Sequence, residues 1–329
     1  MRTAGPGGAG RRTRRRPLGG PRGERRPARW LRLALAVALL ALLGAALAAC
    51  EEEPTPGYTE EKDVTYDAKG GEELVLDVFL PAGEEDADEP EPRPAVLFFH
   101  GGAWRGGDKE SVAPYAVAAA QRGMVGLAVD YRLDAPAALP GQLHDAQAAV
   151  EWAREHADEY AIDPERIGVM GSSAGGHLAA LVATTGRGPL TSGDRVAAAV
   201  AWSGPMDLVA LTTSPQAAPP SCTRTDCIDV AAWRALLTDV IGCIVDACPL
   251  RYASLSPLWR VSPDDSPMLL VNAVAELAVS VEQARSMTAR LHAFGVAAEL
   301  LEVPGDGHAD AYAEAAIGPT LDFLERRLG

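Results

Sequence analysis

Basic residues are scarce in this sequence after position 49. The chain has 30 basic and 45 acidic residues in all, and eleven arginines and one glutamate come before position 50, which leaves 19 basic against 44 acidic residues. A body with that excess of negative charge repels the phosphates of nucleic acids and of anionic lipids. The sequence therefore excludes nucleic acid as an expected partner, despite the arginine-rich start.

Sequence repeats and strong compositional bias are also missing. Of the 329 residues, 47% are hydrophobic and 23% are charged. These proportions exclude collagen-like, coiled-coil and low-complexity chains. About 260 residues remain after the N-terminal region, which is enough for one α/β domain with a single core.

Long apolar runs are absent except for one near the N terminus. Leu31 to Ala49 is almost wholly apolar, follows the arginine-rich stretch and leads into Cys50. This layout is typical of a secretory signal, which we assign to residues 1–49. The sequence Leu-Ala-Ala-Cys resembles the lipobox of bacterial lipoproteins, which implies that Cys50 carries the lipid and holds the protein on the outside of the bacterial cell membrane. A plain signal with an incidental cysteine, or a membrane-spanning anchor, is the alternative.

Two further segments are set apart by composition. Residues 50–63 are acidic with two prolines, and we expect a tether there, followed by a domain at 64–329. Residues 204–266 contain the remaining four cysteines and interrupt the pattern of strands and helices, which predicts a cap-like insertion over the site. The cysteines form two Cys-x4-Cys pairs, so an exported chain predicts two disulfides, with a four-thiolate zinc site as the alternative. These cysteines are Cys222, Cys227, Cys243 and Cys248.

Short apolar runs alternate with segments of helical periodicity along the domain. The pattern predicts a mostly parallel sheet with helices on both faces, whose ligands bind at the carboxyl ends of the strands. The predicted strands are 74–80, 95–99, 125–129, 167–170, 197–202, 268–271 and 298–303. The predicted helices are 113–122, 143–160, 174–184, 230–241, 281–294 and 317–328.

A Gly-x-Ser-x-Gly motif joins the predicted strand at 167–170 to the helix that follows. The motif is Gly171-Ser172-Ser173-Ala174-Gly175. In a strand-turn-helix context it predicts a nucleophile elbow, because the tight turn strains the serine and needs glycine neighbours. Ser173 is therefore the expected nucleophile.

The segment from His100 to Trp104 follows another apolar strand and contains a glycine pair. Glycines leave the backbone amides unshielded, so the amides of Gly101 and Gly102, with that of Ala174, are the expected donors to a tetrahedral oxyanion. We expect His100 to hydrogen-bond this loop rather than to act as a base.

A serine nucleophile needs a base and an orienting acid, which for this topology follow it along the chain. Two histidines come after the elbow helix, and His308 lies in a glycine-flanked loop after the last strand, whereas His292 lies within a helix. We therefore assign His308 as the base. The first carboxylate after the strand at 268–271 is Glu276, which we assign as the acid. The competing carboxylates are those of Asp264, Asp265 and Asp306.

Taken together, these motifs resemble those of α/β-hydrolase carboxylesterases with an HGG-type oxyanion loop, related to hormone-sensitive lipase-like and bifunctional acetylxylan/feruloyl esterases. The resemblance covers residues 64–328. It implies a serine hydrolase that cleaves small-molecule or polysaccharide-linked carboxylic esters through an acyl-enzyme, without a metal or other cofactor. It also implies scaffold roles around the oxyanion loop for Asp130, Tyr131, Arg132 and Asp145, and a packed or paired position for His177 beneath the elbow.

The acid loop departs from the pattern of these esterases. Family members have His-Gly-x-x-Asp, whereas this chain has the sequence Asn-Ala-Val-Ala-Glu from Asn272 to Glu276. The change leaves a second hypothesis open, in which the chain is a catalytically inactive hydrolase fold that serves as a surface binding module. An arylformamidase or a peptidase with the same three residues is a third, because ester and amide cleavage share this apparatus.

Overall fold

The computed structural model describes residues 57–69, 72–82, 91–133, 139–213 and 229–329. The predictions for the signal at 1–49, for Cys50 and for the pair Cys222 and Cys227 lie outside these residues. Within the described ranges, no helix is both long enough and apolar enough to cross a membrane.

Eight strands form one sheet in the spatial order β1-β2-β4-β3-β5-β6-β7-β8. β1 pairs antiparallel with β2, and β2 pairs antiparallel with β4, whereas the other pairs are parallel. The predicted mostly parallel sheet is therefore confirmed. The strands are β1 Tyr58–Lys69, β2 Glu72–Pro81, β3 Arg93–Phe99, β4 Val125–Val129, β5 Ile162–Ser172, β6 Ala198–Trp202, β7 Met268–Ala273 and β8 Ala298–Val303.

Helices cover both faces of this sheet, as the alternation of strands and helices predicted. Apolar residues of α2, α3 and α8 form one buried cluster with one face of the sheet. Those of α1 and α9 form a second cluster on the other face. The helices are α1 Ala113–Ala120, α2 Leu139–Glu155, α3 Ala174–Thr185, α4 Leu208–Thr213, α5 Val230–Ile241, α6 Pro249–Ser254, α7 Pro257–Arg260, α8 Val281–Ala293 and α9 Ala313–Leu328.

The first strand begins earlier than the composition indicates. We expected a tether through residue 63, but β1 begins at Tyr58, so that prediction is wrong for residues 58–63. The charged side chains of this segment stay exposed at the edge of the sheet, where charge opposes pairing with other chains. The ring of Tyr58 packs 5.9 Å from that of Phe79 on β2. An exposed edge strand therefore needs few apolar residues, and the acidic composition concealed it.

The region 204–266 contributes four helices, α4 to α7, between β6 and β7. Cys243 and Cys248 form a disulfide that joins the end of α5 to the start of α6, with Cα atoms 6.4 Å apart. One of the two predicted bridges is thus present, and it takes up two of the four thiols that the zinc alternative would need.

Candidate active site

The turn between β5 and α3 has the strained geometry expected of a nucleophile elbow. Ser173 lies between these elements with φ 52° and ψ −113°, a conformation that costs a non-glycine residue free energy. A Cβ atom on Gly171 would lie 2.2 Å from the backbone of Gly175, and one on Gly175 would lie 2.0 Å from the carbonyl oxygen of Phe99. Both glycines are therefore needed for the turn to pack against β3.

The structure brings Ser173, His308 and Glu276 into one hydrogen-bonded row. The Nε2 atom of His308 lies 2.8 Å from the Oγ atom of Ser173. Its Nδ1 atom lies 2.5 Å from the Oε1 atom of Glu276. The imidazole can take a proton from the serine hydroxyl while the carboxylate fixes its orientation, which is the geometry that nucleophilic catalysis needs.

Glu276 is buried, at 6% exposure, and both of its oxygens are satisfied. Besides His308, its Oε1 atom accepts a hydrogen bond from the backbone amide of Val279 at 2.9 Å. Its Oε2 atom accepts bonds from the Oγ atom of Ser203 at 2.6 Å and from the Nδ2 atom of Asn272 at 2.9 Å. The unusual asparagine of the acid loop therefore supports the glutamate directly.

The sequence did not indicate a role for Ser203, although this residue directly follows β6, at the carboxyl ends of the strands where ligands are expected. Its hydroxyl also accepts a hydrogen bond from the amide of Ala309, the residue after His308, at 3.1 Å. The hydroxyl of Tyr312 lies 2.7 Å from it. Ser203 thus links the loop that bears the acid to the loop that bears the histidine.

The competing candidates lie elsewhere. His292 projects from α8 and its Nε2 atom contacts the carbonyl oxygen of Ala298 at 2.9 Å. Asp265 accepts hydrogen bonds from Ser262, while Asp264 and Asp306 are exposed at the surface.

The glycine loop after β3 runs beside the elbow. A Cβ atom on Gly101 would lie 3.4 Å from the Cβ atom of Ser173, so a side chain at position 101 would press against the nucleophile. Gly102 has φ 120°, and a Cβ there would lie 2.0 Å from the carbonyl oxygen of Gly106. Ala174 is the first residue of α3, where an amide has no partner within its helix. Gly101 and Gly102 line the same cavity as Ser173, and Ala174 directly follows the serine; the oxyanion-binding role of the three amides stays a prediction.

Two of the four predicted scaffold residues, Tyr131 and Asp130, contact this loop, whereas Arg132 and Asp145 pair with each other. The hydroxyl of Tyr131 donates to the carbonyl oxygen of His100 at 2.8 Å, and the two rings stack 4.2 Å apart. Arg132 binds both oxygens of the buried Asp145, at 2.6 and 2.5 Å. The Oδ1 atom of Asp130 accepts from the amide of Lys109 at 2.7 Å, which ties down the end of the same loop.

Two buried histidines lie close to the elbow and outside the catalytic row. Burial lowers the pKa of His100, whose Nδ1 atom contacts the carbonyl oxygen of Gly101 at 2.7 Å. Burial lowers the pKa of His177 to about 4, and this ring bridges the Nε1 atom of Trp104 at 3.3 Å and the carbonyl oxygen of Leu255 at 2.8 Å. Both rings are therefore neutral structural groups at pH 7.

A cavity of about 470 Å³ opens onto Ser173 and His308. One part of its wall is apolar and comes from α5 and the segments that flank β6 and β7. The other part is formed by the glycine loop, Ser111 and the loop that bears His308. The apolar part comprises Pro205, Trp233, Leu236, Ala278 and Val279. Helix α5 supplies two of these side chains, Trp233 and Leu236; that the whole region 204–266 covers the site stays a prediction.

Asp310 is a second residue that the sequence analysis missed. It lies two residues after His308 and lines the same cavity. Its Oδ1 atom accepts a hydrogen bond from the hydroxyl of Tyr115 at 2.9 Å, and its Oδ2 atom accepts one from Ser172 at 3.3 Å. Spacing alone gave no signal for this residue, because its partners come from α1 and β5.

Within the described part of the chain, no group of three or more His, Cys, Asp or Glu side chains is arranged to hold a metal ion.

Comparison with known proteins gives consistent matches. The model of the BD-FAE family matches residues 76–291. Esterase LipC of Mycobacterium tuberculosis is 32% identical over 244 residues, which cover 71% of this chain and 57% of that protein. The chain spans little more than half the length of these curated relatives, 57% of LipC and 52% of the probable carboxylic ester hydrolase LipM of the same organism.

Two solved structures share the fold. The propionate-bound esterase Est2 of Thermogutta terrifontis superposes with a TM-score of 0.62 at 25% identity, over 83% of this chain and 95% of that chain. A bifunctional GH43-CE protein of Bacteroides eggerthii gives a TM-score of 0.65 at 26% identity, over 82% of this chain and 38% of that chain.

Proposed function

Since the chain belongs to the BD-FAE family, we propose that it is a serine carboxylesterase that works through an acyl-enzyme. The observation that carries the proposal is the row from Ser173 through His308 to Glu276, with contacts of 2.8 and 2.5 Å at a strained elbow. A binding module would gain nothing from a strained serine in contact with an oriented imidazole.

The reaction follows from these positions. His308 takes the proton of Ser173 as the hydroxyl oxygen attacks the ester carbonyl, and the amides of Gly101, Gly102 and Ala174 stabilise the oxyanion, each by about 3 kcal/mol. His308 then gives its proton to the leaving alcohol. Water, activated by the same imidazole, hydrolyses the acyl-enzyme and restores the serine.

Short acyl groups are the substrate class that the cavity supports best. Its volume of about 470 Å³ and its apolar wall at α5 suit a small hydrocarbon group. The related Est2 structure contains propionate, which agrees with this size. The alcohol part is a small molecule or a polysaccharide-linked group.

Hydrolysis of p-nitrophenyl acetate and butyrate by the full chain tests the proposal. We expect turnover to fall by about 10⁶-fold in Ser173→Ala and on the order of 10³- to 10⁴-fold in Glu276→Gln. Asp306→Asn is the control, because it removes a neighbouring exposed carboxylate and should change turnover by less than about twofold.

Covalent labelling of the folded wild type with a fluorophosphonate is a second test of the proposed serine nucleophile. Modification of Ser173 is expected, and its absence together with no ester turnover would establish the binding-module hypothesis instead. Loss of activity in Asp306→Asn but not in Glu276→Gln would move the acid to Asp306.

We also propose that the protein is exported and held on the outer side of the bacterial cell membrane by lipid on Cys50, on the strength of the Leu-Ala-Ala-Cys sequence. Mass spectrometry of the mature chain should find an N-terminal diacylated cysteine. Cys50→Ser should abolish both the lipid and the cleavage. An unmodified N terminus in the soluble extracytoplasmic fraction, or an uncut one, would overturn this assignment.

A further inference from the structure

The cavity beside Ser173 has one acidic side chain on its wall, that of Asp310. Within the part of the chain that the structure describes, neither lysine nor arginine lines this cavity. His308 is the single lining residue there whose side chain can become positively charged. The static charge that a substrate meets at this wall is therefore negative.

The charge of Asp310 is not balanced by a neighbouring cation. Its oxygens accept hydrogen bonds from two neutral hydroxyls, those of Tyr115 at 2.9 Å and Ser172 at 3.3 Å. Burial, and then the nearby Asp310 carboxylate, raise the pKa of Tyr115 above its usual range, so this hydroxyl remains a neutral donor. Among the described residues, no lysine or arginine nitrogen lies within 4.0 Å of the carboxylate.

The position of Asp310 decides which part of an ester meets this charge. His308 must hand its proton to the leaving oxygen, so the leaving group lies beside the imidazole. Asp310 follows His308 by two residues on the same cavity wall. The acyl group is directed to the other wall, where Trp233 and Leu236 of α5 provide apolar surface.

We propose that Asp310 makes the His308 side of the cavity a subsite for a cationic leaving group, and that it discriminates against esters whose alcohol carries a carboxylate or phosphate. The inference deepens the proposed esterase activity and rests on it. Asp310 acts here as a specificity-determining residue, because an ammonium group beside it replaces contacts with water by contacts with an unbalanced carboxylate.

The test compares three acetate esters with the full chain in mild detergent. Choline acetate is cationic, 3,3-dimethylbutyl acetate is its neutral analogue of equal shape, and 4-acetoxybutanoate is anionic. The ratio of kcat/KM for the cationic ester to that for the neutral one is the readout, since a ratio is independent of the fraction of folded enzyme. We expect a ratio of about five in the wild type, as a partly exposed ion pair gives.

Asp310→Asn keeps an acceptor for Tyr115 and removes the charge. The cation preference should fall to about one, and the anionic ester should improve relative to the neutral one by a similar factor. Glu314→Gln is the matched control, because it removes one negative charge from an exposed position just beyond the same loop. It should leave both ratios unchanged. Added salt should weaken the wild-type preference.

Three results overturn the inference. Equal ratios in the wild type and in Asp310→Asn, with the neutral ester still hydrolysed, exclude a specificity role. Uniform slowing of all three esters in Asp310→Asn shows that the carboxylate acts through His308 instead. Failure of the wild type to hydrolyse the neutral ester, or any ester in the p-nitrophenyl assay, overturns the proposed function itself and this subsite with it.

Discussion

A single hydroxyl, that of Ser203, connects two loops that must be aligned for the proposed reaction. It donates to Glu276 at 2.6 Å and accepts from the amide of Ala309 at 3.1 Å. Ser203 itself has φ 45° and is fully buried. Strain of this kind persists only where surrounding contacts hold it, so the position works as a fixed joint between the acid and the histidine.

Ser203→Ala should reduce both stability and turnover. The change leaves a buried amide and a carboxylate oxygen each short of a partner, which should lower the free energy of unfolding by about 1–3 kcal/mol. Urea unfolding and kcat for p-nitrophenyl butyrate are the measurements. Ser254→Ala is the control, because that serine is exposed and its hydroxyl bonds a local carbonyl. Equal behaviour of the two variants would remove Ser203 from this role.

The glycines of the elbow give a second prediction at the residue scale. Gly175→Ala should abolish turnover and lower stability, since its Cβ would lie 2.0 Å from the carbonyl oxygen of Phe99. Gly318→Ala in α9 is the control, because the added Cβ meets nothing within 4 Å, and it should leave turnover unchanged. Thermal unfolding and ester turnover of both variants check this, and an active Gly175→Ala enzyme would contradict it.

At the scale of elements, a central buried strand was easy to predict, whereas the acidic edge strand β1 was missed. β4 has the bounds that the apolar run indicated, because a strand covered on both faces has a nearly continuous apolar sequence. β1 is half exposed and acidic, so nothing in its composition distinguished it from a tether. The short helices α4, α6 and α7 were missed for a related reason, since they depend on packing within the cap region more than on periodicity.

The site shows the same division. Motif and chain order indicated Ser173, whose turn follows the central strand β5, and His308, whose loop follows the last strand β8. Asp310 and Ser203 acquire their positions from contacts that span 138 and 73 residues along the chain. Such pairings depend on strand order, which hydrophobic patterning alone does not specify.

Because α5 forms part of the apolar cavity wall, we expect its side chains to influence which acyl groups are accepted. Leu236→Ala should enlarge the acyl side, so the kcat/KM ratio for octanoate over butyrate p-nitrophenyl esters should rise about tenfold. Leu237→Ala is the matched control. Leu237 is fully buried but does not line the cavity, so its loss should reduce the free energy of unfolding by about 2–5 kcal/mol without a shift in acyl preference. A larger change of the octanoate-over-butyrate ratio in Leu237→Ala than in Leu236→Ala would contradict the prediction. It would show that acyl preference depends on the packing of the whole region 204–266 and not on the cavity wall at Leu236.

For the whole molecule, the buried His177 and the half-buried Asp130 give the stability opposite dependences on pH. Burial lowers the pKa of His177 from 6.5 to about 4. The unfolded chain therefore takes up a proton first, and stability falls as the pH drops from about 6.5 to 4. Burial raises the pKa of Asp130 from 3.8 to about 6, so the folded chain takes up that proton first and stability rises as the pH drops through the same range.

Asp130→Asn should leave the contribution of His177 as the larger part of the pH dependence of stability. Its free energy of unfolding should fall more steeply than that of the wild type between pH 6.5 and 4.5, by about 1 kcal/mol once the partial exposure of Asp130 is allowed for. Urea unfolding at several pH values measures this. The exposed Asp264→Asn serves as the control, and wild-type and Asp130→Asn curves that run parallel would contradict the prediction.

Under the proposed lipidation of Cys50, the early start of β1 limits how far the folded domain can lie from the membrane. Tyr58 follows Cys50 by eight residues, and an extended chain advances at most about 3.6 Å per residue, or about 29 Å in all. With lipid on Cys50, this short linker would confine the folded domain to a thin layer above the bilayer. Turnover in the cell would then follow how strongly an ester partitions into this layer, and its bulk concentration would be a poor guide.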